Sequence, residues 1–350
     1  MGLPEINITF ESMAVSAVQR SGRGIVALIL KDDTGDFDTR EYNIITDIDA
    51  DDWSATNKDY IEKVFLGVPS KVIVERINED ATDYNDALER LSTKKWNWGA
   101  IPGIQAGDTA TIATWLKTMR NNNKKTFKFV LPDEDADHEG IVNFTTEDIL
   151  VGEKTYTTAE YTARIAGILA GLSLQRSSTY LFLPEVDSIT QSADPDQDIQ
   201  DGKLILINDG GVKIGRGVNS LTSIDATKGD DWKKIKIIEG HDLIQEDIRK
   251  TFNDNYIGKV NNSYDNQVMF LAAVNSYFKT LEGDVLNPNV DNFVEVDTQA
   301  QKLAWEGVGT DTSEWDEQKI KENSFQSKVF VAGRVRFLDA MEDLDFKISV

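Results

Sequence analysis

Apolar residues along this chain change their spacing several times, and each change marks an expected element. At the start, Ile6, Ile8 and Phe10 sit two apart with Asn7 and Thr9 between them, the period of a half-buried strand. Ser21, Gly22, Arg23 and Gly24 read as a loop, Ile25 to Leu30 as a short apolar strand, and Asp32 to Asp38 as an acidic turn region. A helix is expected from Asn57 to Phe65, with Thr56 and Asp59 as a capping box. Val72 to Ile77 reads as a strand, followed by a short helix carrying Leu88 and Leu91. Strands are then expected at Trp96 to Ile101, Thr126 to Leu131 and Ile141 to Phe144. Between the first two, Asp108 caps a helix bearing Ile112, Trp115, Leu116 and Met119. Thr157 and Glu160 form a second capping box, and the helix behind it carries Tyr161, Ile165, Ile168 and Leu172 on one face. Strand–helix alternation of this kind predicts an α/β sheet with helices on its faces.

The pattern then loosens. Ser192 to Gly202, with four aspartates, is expected to be a mobile loop. Leu204 to Ile207 and Val212 to Ile214 flank Asn208-Asp209-Gly210-Gly211, a hairpin whose glycines supply positive φ. A helix is expected from Asp242 to Phe252. A stronger one follows, capped by Ser263, ended by Gly283, and carrying Val268, Leu271, Val274, Phe278 and Leu281. Two strand patterns close the chain. Val329, Val331, Val335 and Phe337 alternate with Lys328, Arg334 and Arg336, and Leu344, Phe346, Ile348 and Val350 alternate with Asp345, Lys347 and Ser349. Both ends are therefore apolar and strand-like. Two readings stay open: each end pairs within its own subunit, or each adds to a neighbour's sheet.

Composition narrows the partners. The 350 residues suggest two or three domains. Lys plus Arg number 37 against 60 Asp plus Glu, a net charge of −23. Such a surface repels phosphate backbones and anionic headgroups, so neither nucleic acid nor membrane is an expected partner. The same charge keeps a concentrated protein soluble before it assembles. With no cysteine, disulfides, thiolate metal sites and cysteine nucleophiles are excluded. The first residues lack the basic segment and apolar run of a signal peptide, and no apolar run approaches the ~20 residues that span a bilayer. The expectation is a protein made in a cytoplasm and not exported by a general secretion signal.

Several stretches resemble the tail sheath proteins of contractile phages and phage-tail-like particles. They are Gly2-Leu3-Pro4-Glu5-Ile6-Asn7-Ile8-Thr9-Phe10, Gln19 to Val26, Trp96-Asn97-Trp98-Gly99-Ala100-Ile101-Pro102-Gly103, and Asn261 to Asn266. The most characteristic is Ser327 to Val335 with Leu338 to Asp343. The likeness runs over essentially the whole chain. It implies a structural subunit of a contractile sleeve: hexameric rings stacked helically around a tail tube, with baseplate and tail-terminator proteins as further partners. It implies extended arms, containing Ile6, Ile8 and Phe10 at one end and Leu344, Phe346, Ile348 and Val350 at the other, that join neighbours by sheet augmentation. It places the protein in a virion tail or tail-like particle assembled in the bacterial host cytoplasm. Contraction then draws on new subunit contacts between two states separated by a barrier, so no nucleotide site and no cofactor is needed.

Pattern and resemblance together give a multi-domain α/β and α+β fold. An N-terminal arm covers 1–22, a small strand-rich domain 23–90, and a central α/β domain 91–240. A C-terminal α+β core domain covers 241–350 and ends in a strand arm at about 338–350. The bulk of the C-terminal block, together with the N-terminal arm, is expected to form the inner core facing the tube, with the two middle blocks further out. Lys328, Arg334 and Arg336 form one face of the penultimate strand and are candidates for contacting acidic groups on the tube or a neighbour; ordinary exposed charges are the other reading.

The family's middle domain is described as similar to a subtilisin-type fold, which raises a hydrolase as an alternative beside another self-assembling tail or capsid component. The residues do not favour it. His138 lies in Asp133-Glu134-Asp135-Ala136-Asp137-His138-Glu139, an acidic run expected to be a solvated loop without the spacing of a calcium loop. No Gly-x-Ser-x-Gly elbow occurs, and a shared fold does not carry function. Gly210 to Gly217 is glycine-rich but does not form a phosphate-binding loop, and reads as hairpin. His241 is expected at a helix start, in a surface or capping role. No catalytic, metal or cofactor-binding residue is expected.

Overall fold

In the computed structural model the described residues are 22–349; the expected strand at Ile6, Ile8 and Phe10, and the terminal Val350, lie outside them. The described residues form two compact units, one of 22–242 together with 339–349, the other of 243–338.

The first unit is built on a seven-stranded sheet. In chain order its strands are β1 (Ile25–Lys31), β2 (Thr39–Tyr42), β3 (Lys71–Ile77), β4 (Trp98–Ala100), β5 (Lys128–Pro132) and β6 (Ile141–Phe144). After three small strands that form a sheet of their own, β7 (Glu147–Val151), β8 (Lys154–Tyr156) and β9 (Ser188–Thr190), comes the last member, β10 (Lys203–Leu204). Across the sheet the order is β10-β6-β5-β4-β1-β3-β2, and every neighbour is parallel except β2 on β3.

Helices α1 (Ala55–Phe65), α2 (Asn85–Thr93), α3 (Thr109–Asn121) and α4 (Thr158–Gly171) cover the sheet. Strand side chains alternate in direction, so β1 serves two cores. Val26, Leu28 and Leu30 pack with Ile61 and Val64 of α1 and Ile165 and Ile168 of α4. Ala27 and Ile29 pack with Leu88 and Leu91 of α2 and Ile112 and Leu116 of α3. A run apolar on both faces belongs in the middle of such a sheet. This is why the strand-rich block expected at 23–90 is not a unit of its own: β1 hydrogen-bonds β3 on one side and β4 on the other.

α1 and α4 meet backbone to backbone. An added Cβ at Gly167 would lie 2.3 Å from the Val64 carbonyl oxygen, and one at Gly171 would lie 1.7 Å from that of Gly67. The α4 capping box forms as expected, with Thr157 accepting from the Glu160 N–H and Glu160 accepting from that of Thr157. The cap of α1 is instead Ser54, whose hydroxyl accepts from the Asn57 N–H at 3.3 Å.

The expected mobile loop at 192–202 contains a short helix, α5 (Pro195–Gln200), because Asp194 accepts from the Gln197 N–H and Pro195 opens the first turn. The expected hairpin is present as β11 (Leu206–Asn208) on β12 (Val212–Ile214), with Gly210 and Gly211 at positive φ between them.

The division between units falls inside α6 (Ile235–Asn255), which starts seven residues before the expected Asp242. The second unit is α+β, with α7 (Tyr264–Leu281), β13 (Phe293–Val296), α8 (Thr298–Gly307), α9 (Glu317–Glu322) and β14 (Val331–Arg334). Ser263 caps α7 by accepting from the Asn266 N–H, and Gly283 follows its end at φ +91°. The buried face of α7 is Phe270, Leu271, Val274, Tyr277, Phe278 and Leu281, while Val268 is 43% exposed, one step off the expected stripe. α8 and α9 are locked by Gln301, which donates to the Ile320 carbonyl at 2.6 Å.

Candidate assembly surfaces

Two surfaces stand out among the described residues, one an unfinished sheet and the other an exposed apolar segment. In the second unit, β14 pairs antiparallel with β13 from Val331 opposite Val296 to Arg334 opposite Phe293. The ribbon has only these two strands, and all four residues of β14 are exposed. Among the described residues its outer backbone edge has no partner strand. Gly333 allows the close approach, since a Cβ there would lie 2.1 Å from the Phe293 carbonyl oxygen.

The expected strand from Val329 to Phe337 is thus shorter than its sequence pattern. Lys328 sits in a turn whose N–H donates to the Phe325 carbonyl, and Arg336 lies beyond the strand end, where its N–H donates to Asn292. Of the three expected cations only Arg334 is on the strand, with its guanidinium 5.2 Å from the Phe293 ring centre. All three are exposed, and none makes an ion pair with another described residue.

The second surface is the end of the chain. Residues 339–349 adopt neither helix nor strand. Leu344, Phe346 and Ile348 are 87%, 73% and 72% exposed, although their alternation is that of a half-buried strand.

The candidates for chemistry are occupied with structure. At the carboxyl end of β1, where open α/β sheets bind ligands, Asp32 is fully buried. It accepts from the Asn57 amide and from the Ser54 and Thr34 N–H groups. Burial pushes its carboxyl up, but these donors outweigh burial and hold it down at about 2. His138 is buried as well. Its Nδ1 accepts from the Gly140 N–H at 3.0 Å, and its Nε2 lies 3.8 Å from the Glu139 carboxylate. The one serine hydroxyl shown beside it, that of Ser220, contacts the backbone of His138 and not the ring. Burial lowers the imidazole to about 4, against the pull of Glu139.

The acidic run is therefore not wholly solvated. Its last residues, His138 and Glu139, are buried because Glu139 pairs with Lys228, at 2.9 Å, and faces Arg120. His241 lies inside α6 and not at its start, with its ring 4.5 Å from that of Trp232.

These side chains border a buried charge lock that the sequence does not suggest. Asp242 accepts from Arg120 through both terminal nitrogens, at 3.1 and 2.9 Å, and from Lys128 at 2.7 Å. Glu239 pairs with Lys128 at 3.0 Å and also with Arg23. Lys128 is 1% exposed; burial lowers its ammonium to about 8, against the attraction of Asp242. Asp242 is held below its usual range because Arg120 and Lys128 outweigh its burial. Among the described residues no cluster of three or more His, Asp or Glu is arranged to hold a metal, and no helix is long and apolar enough to cross a membrane.

Residues 78–220 match the family described as the phage tail sheath protein central domain, and residues 227–350 the phage tail sheath C-terminal domain. The whole chain is 37% identical to the tail sheath protein of Clostridium phage phiCD119, covering 99% of it. The chain belongs to the phage tail sheath protein family. Its fold matches the sheath tail protein of Desulfitobacterium hafniense with TM-score 0.70 at 18% identity, over 84% of this chain and 94% of that one. It matches the sheath tail protein of Listeria innocua with TM-score 0.66 at 15% identity, over 94% and 98%. The sheath of an extracellular contractile injection system in its contracted state aligns over 100% of this chain and 98% of that one, with TM-score 0.69 at 10% identity. As a member of this family the chain is a structural tail sheath component of a phage or phage-tail-like particle.

Proposed function

We propose that the chain polymerises as the contractile sleeve itself, as hexameric rings stacked helically around a tail tube, and that its two ends are the joints of the lattice. The observation that carries this reading is the C-terminal segment, where three large apolar side chains alternate in strand register yet stand in solvent. A strand at positions 344–350 added to a sheet edge on another copy would bury those side chains and pair its backbone. The open edge of β14 is a matching acceptor. Each backbone hydrogen bond nets only about 0.5–1.5 kcal/mol, so several per arm are required. A head-to-tail contact repeated in this way generates rings or helical arrays.

The N-terminal arm, with Ile6, Ile8 and Phe10, is assigned the same role, and Lys328, Arg334 and Arg336 are assigned to contacts with a neighbour or the tube. The first unit is read as an α/β body of subtilisin type without catalysis. It moves as a rigid block on contraction while the arms keep the lattice connected. Baseplate and terminator proteins cap the two ends of the sleeve, and assembly takes place in the bacterial cytoplasm. Deleting 344–350, or 1–10, is expected to leave a folded chain that forms no tubes by electron microscopy. Normal striated tubes from both truncations would overturn the reading.

A further inference from the structure

Although residues 339–349 contain no helix or strand, their first part is anchored. Lys234 pairs with Asp339, and the Arg216 guanidinium reaches Asp343 at 2.5 Å and Glu342 at 3.6 Å. The Thr179 hydroxyl donates to Glu342 at 2.7 Å. That hydroxyl is itself set in place, accepting from the Gly217 N–H and the Ser177 hydroxyl, both at 2.9 Å. The receiving groups therefore form an ordered seat. Lys236 adds an attraction to Asp339 and Glu342, and among the described residues no backbone hydrogen bond joins 339–349 to the rest of the α/β unit. Met341 is fully exposed and contributes no packing, whereas the Glu342 side chain is only 9% exposed. The segment also forms one wall of a cleft of about 1060 Å³ whose other walls include Arg176, Tyr180, Gln191 and Ile199.

We propose that Asp339, Glu342 and Asp343 form an electrostatic latch that pins the root of the C-terminal segment to its own α/β unit, and that salt releases it. The latch fixes where residues 344–350 leave the body and leaves those residues free. Arg216 and Lys234 are each about one-third exposed. Exposed pairs of this kind are weak singly and are screened by salt. Together they shift the ratio of held to released segment by only on the order of tenfold. A contact of that strength holds the segment in dilute salt and lets it go when another surface competes. The tie to arm exchange rests on the proposed function, but the latch itself does not.

The chain has no cysteine, so Met341→Cys provides a single site for a nitroxide. Electron paramagnetic resonance on the full-length, unassembled chain, checked by light scattering, then reads the motion of the segment. The expected result is one slow component in 50 mM salt. A fast component should appear, with a change in population of roughly tenfold, in 1 M salt, in R216Q/K234Q and in D339N/D343N. The second pair of substitutions tests the same contacts from the other side should the first impair folding. A fast label in low salt, or a slow one in 1 M salt and in both variants, overturns the latch. Neither result bears on whether the chain forms tubes, so the failure of this inference and the failure of the proposed function are distinguishable.

Discussion

Replacing Asp242 tests whether the buried charge lock holds the α/β unit together. In the native chain its carboxylate takes three charge-assisted hydrogen bonds from Arg120 and Lys128, and all three side chains are almost wholly removed from water. Removing one member of a buried ion cluster costs about 3–5 kcal/mol, because the remaining charges are left uncompensated. Asp242→Asn keeps the shape and one acceptor, so a loss near the lower bound, about 3 kcal/mol, is expected. Part of the cost is relieved if Lys128 deprotonates, since burial already holds its ammonium down to about 8 and Asp242 is the main group opposing this.

The assay is urea unfolding of the full chain followed by tryptophan fluorescence. Trp98 is a local reporter, with its ring 5.1 Å from the Lys128 ammonium. Lys128→Met removes one of the two stranded cations, so Asp242→Asn should cost at least about 1 kcal/mol less in that background. A loss below about 1 kcal/mol for the single substitution, or an equal loss in both backgrounds, would refute the lock as a source of stability.

Three further expectations follow from particular contacts. Burial holds the folded-state pKa of His138 at about 4, below an ordinary value near 6.5, so its contribution to stability is complete above pH 6.5 and is lost as pH falls toward 4. His138→Asn should flatten that part of the acid-unfolding profile, and an unchanged slope would count against the buried neutral imidazole. Gly167→Ala drives a methyl into the Val64 carbonyl and should lower stability by about 1–3 kcal/mol in a thermal melt, whereas Gly107→Ala, with no atom within 4 Å of its added methyl, should leave the α1–α4 contact intact. Phe346→Ser should leave the melting temperature within a degree or two, because the ring is 73% exposed, yet reduce tube formation by electron microscopy.

The parts of the fold that sequence made legible are those whose information is local. Ile25 to Leu30 and Val72 to Val74 are apolar at consecutive positions, and these runs became the buried strands β1 and β3. The same runs also carried the unused clue that 23–90 is no separate block, since a strand greasy on both faces needs cover on both. Thr157 with Glu160, and Ser263 before an apolar stripe, marked the starts of α4 and α7 through capping chemistry alone.

Strands β2, β7, β9 and β13 were invisible because they are short and bury at most one residue each; β7 even holds Asp148 at φ +50°. The charge lock was missed for a different reason. Lys128 reads as an ordinary polar position in a strand, and its partner Asp242 lies 114 residues away. The latch is hidden in the same way, with Arg216 and Asp343 separated by 127 positions. At the chain's end the alternation was plain, but alternation alone does not say what the strand will lie against.

The parallel sheet also has a consequence in time. β1 gains its flanking strands only when residues 46 and 72 positions further on have been made, and β6 waits for β10, sixty positions later. Pairings at such separations close slowly, since the loop entropy is lost before the contacts form. Until β10 arrives, β6 presents an open edge, and other copies of the chain carry the exposed alternating residues Leu344, Phe346 and Ile348 that are proposed above to add to such edges. A newly made chain thus runs a race between closing its own sheet and being captured prematurely. The rate of synthesis and the local concentration of finished subunits decide which happens first.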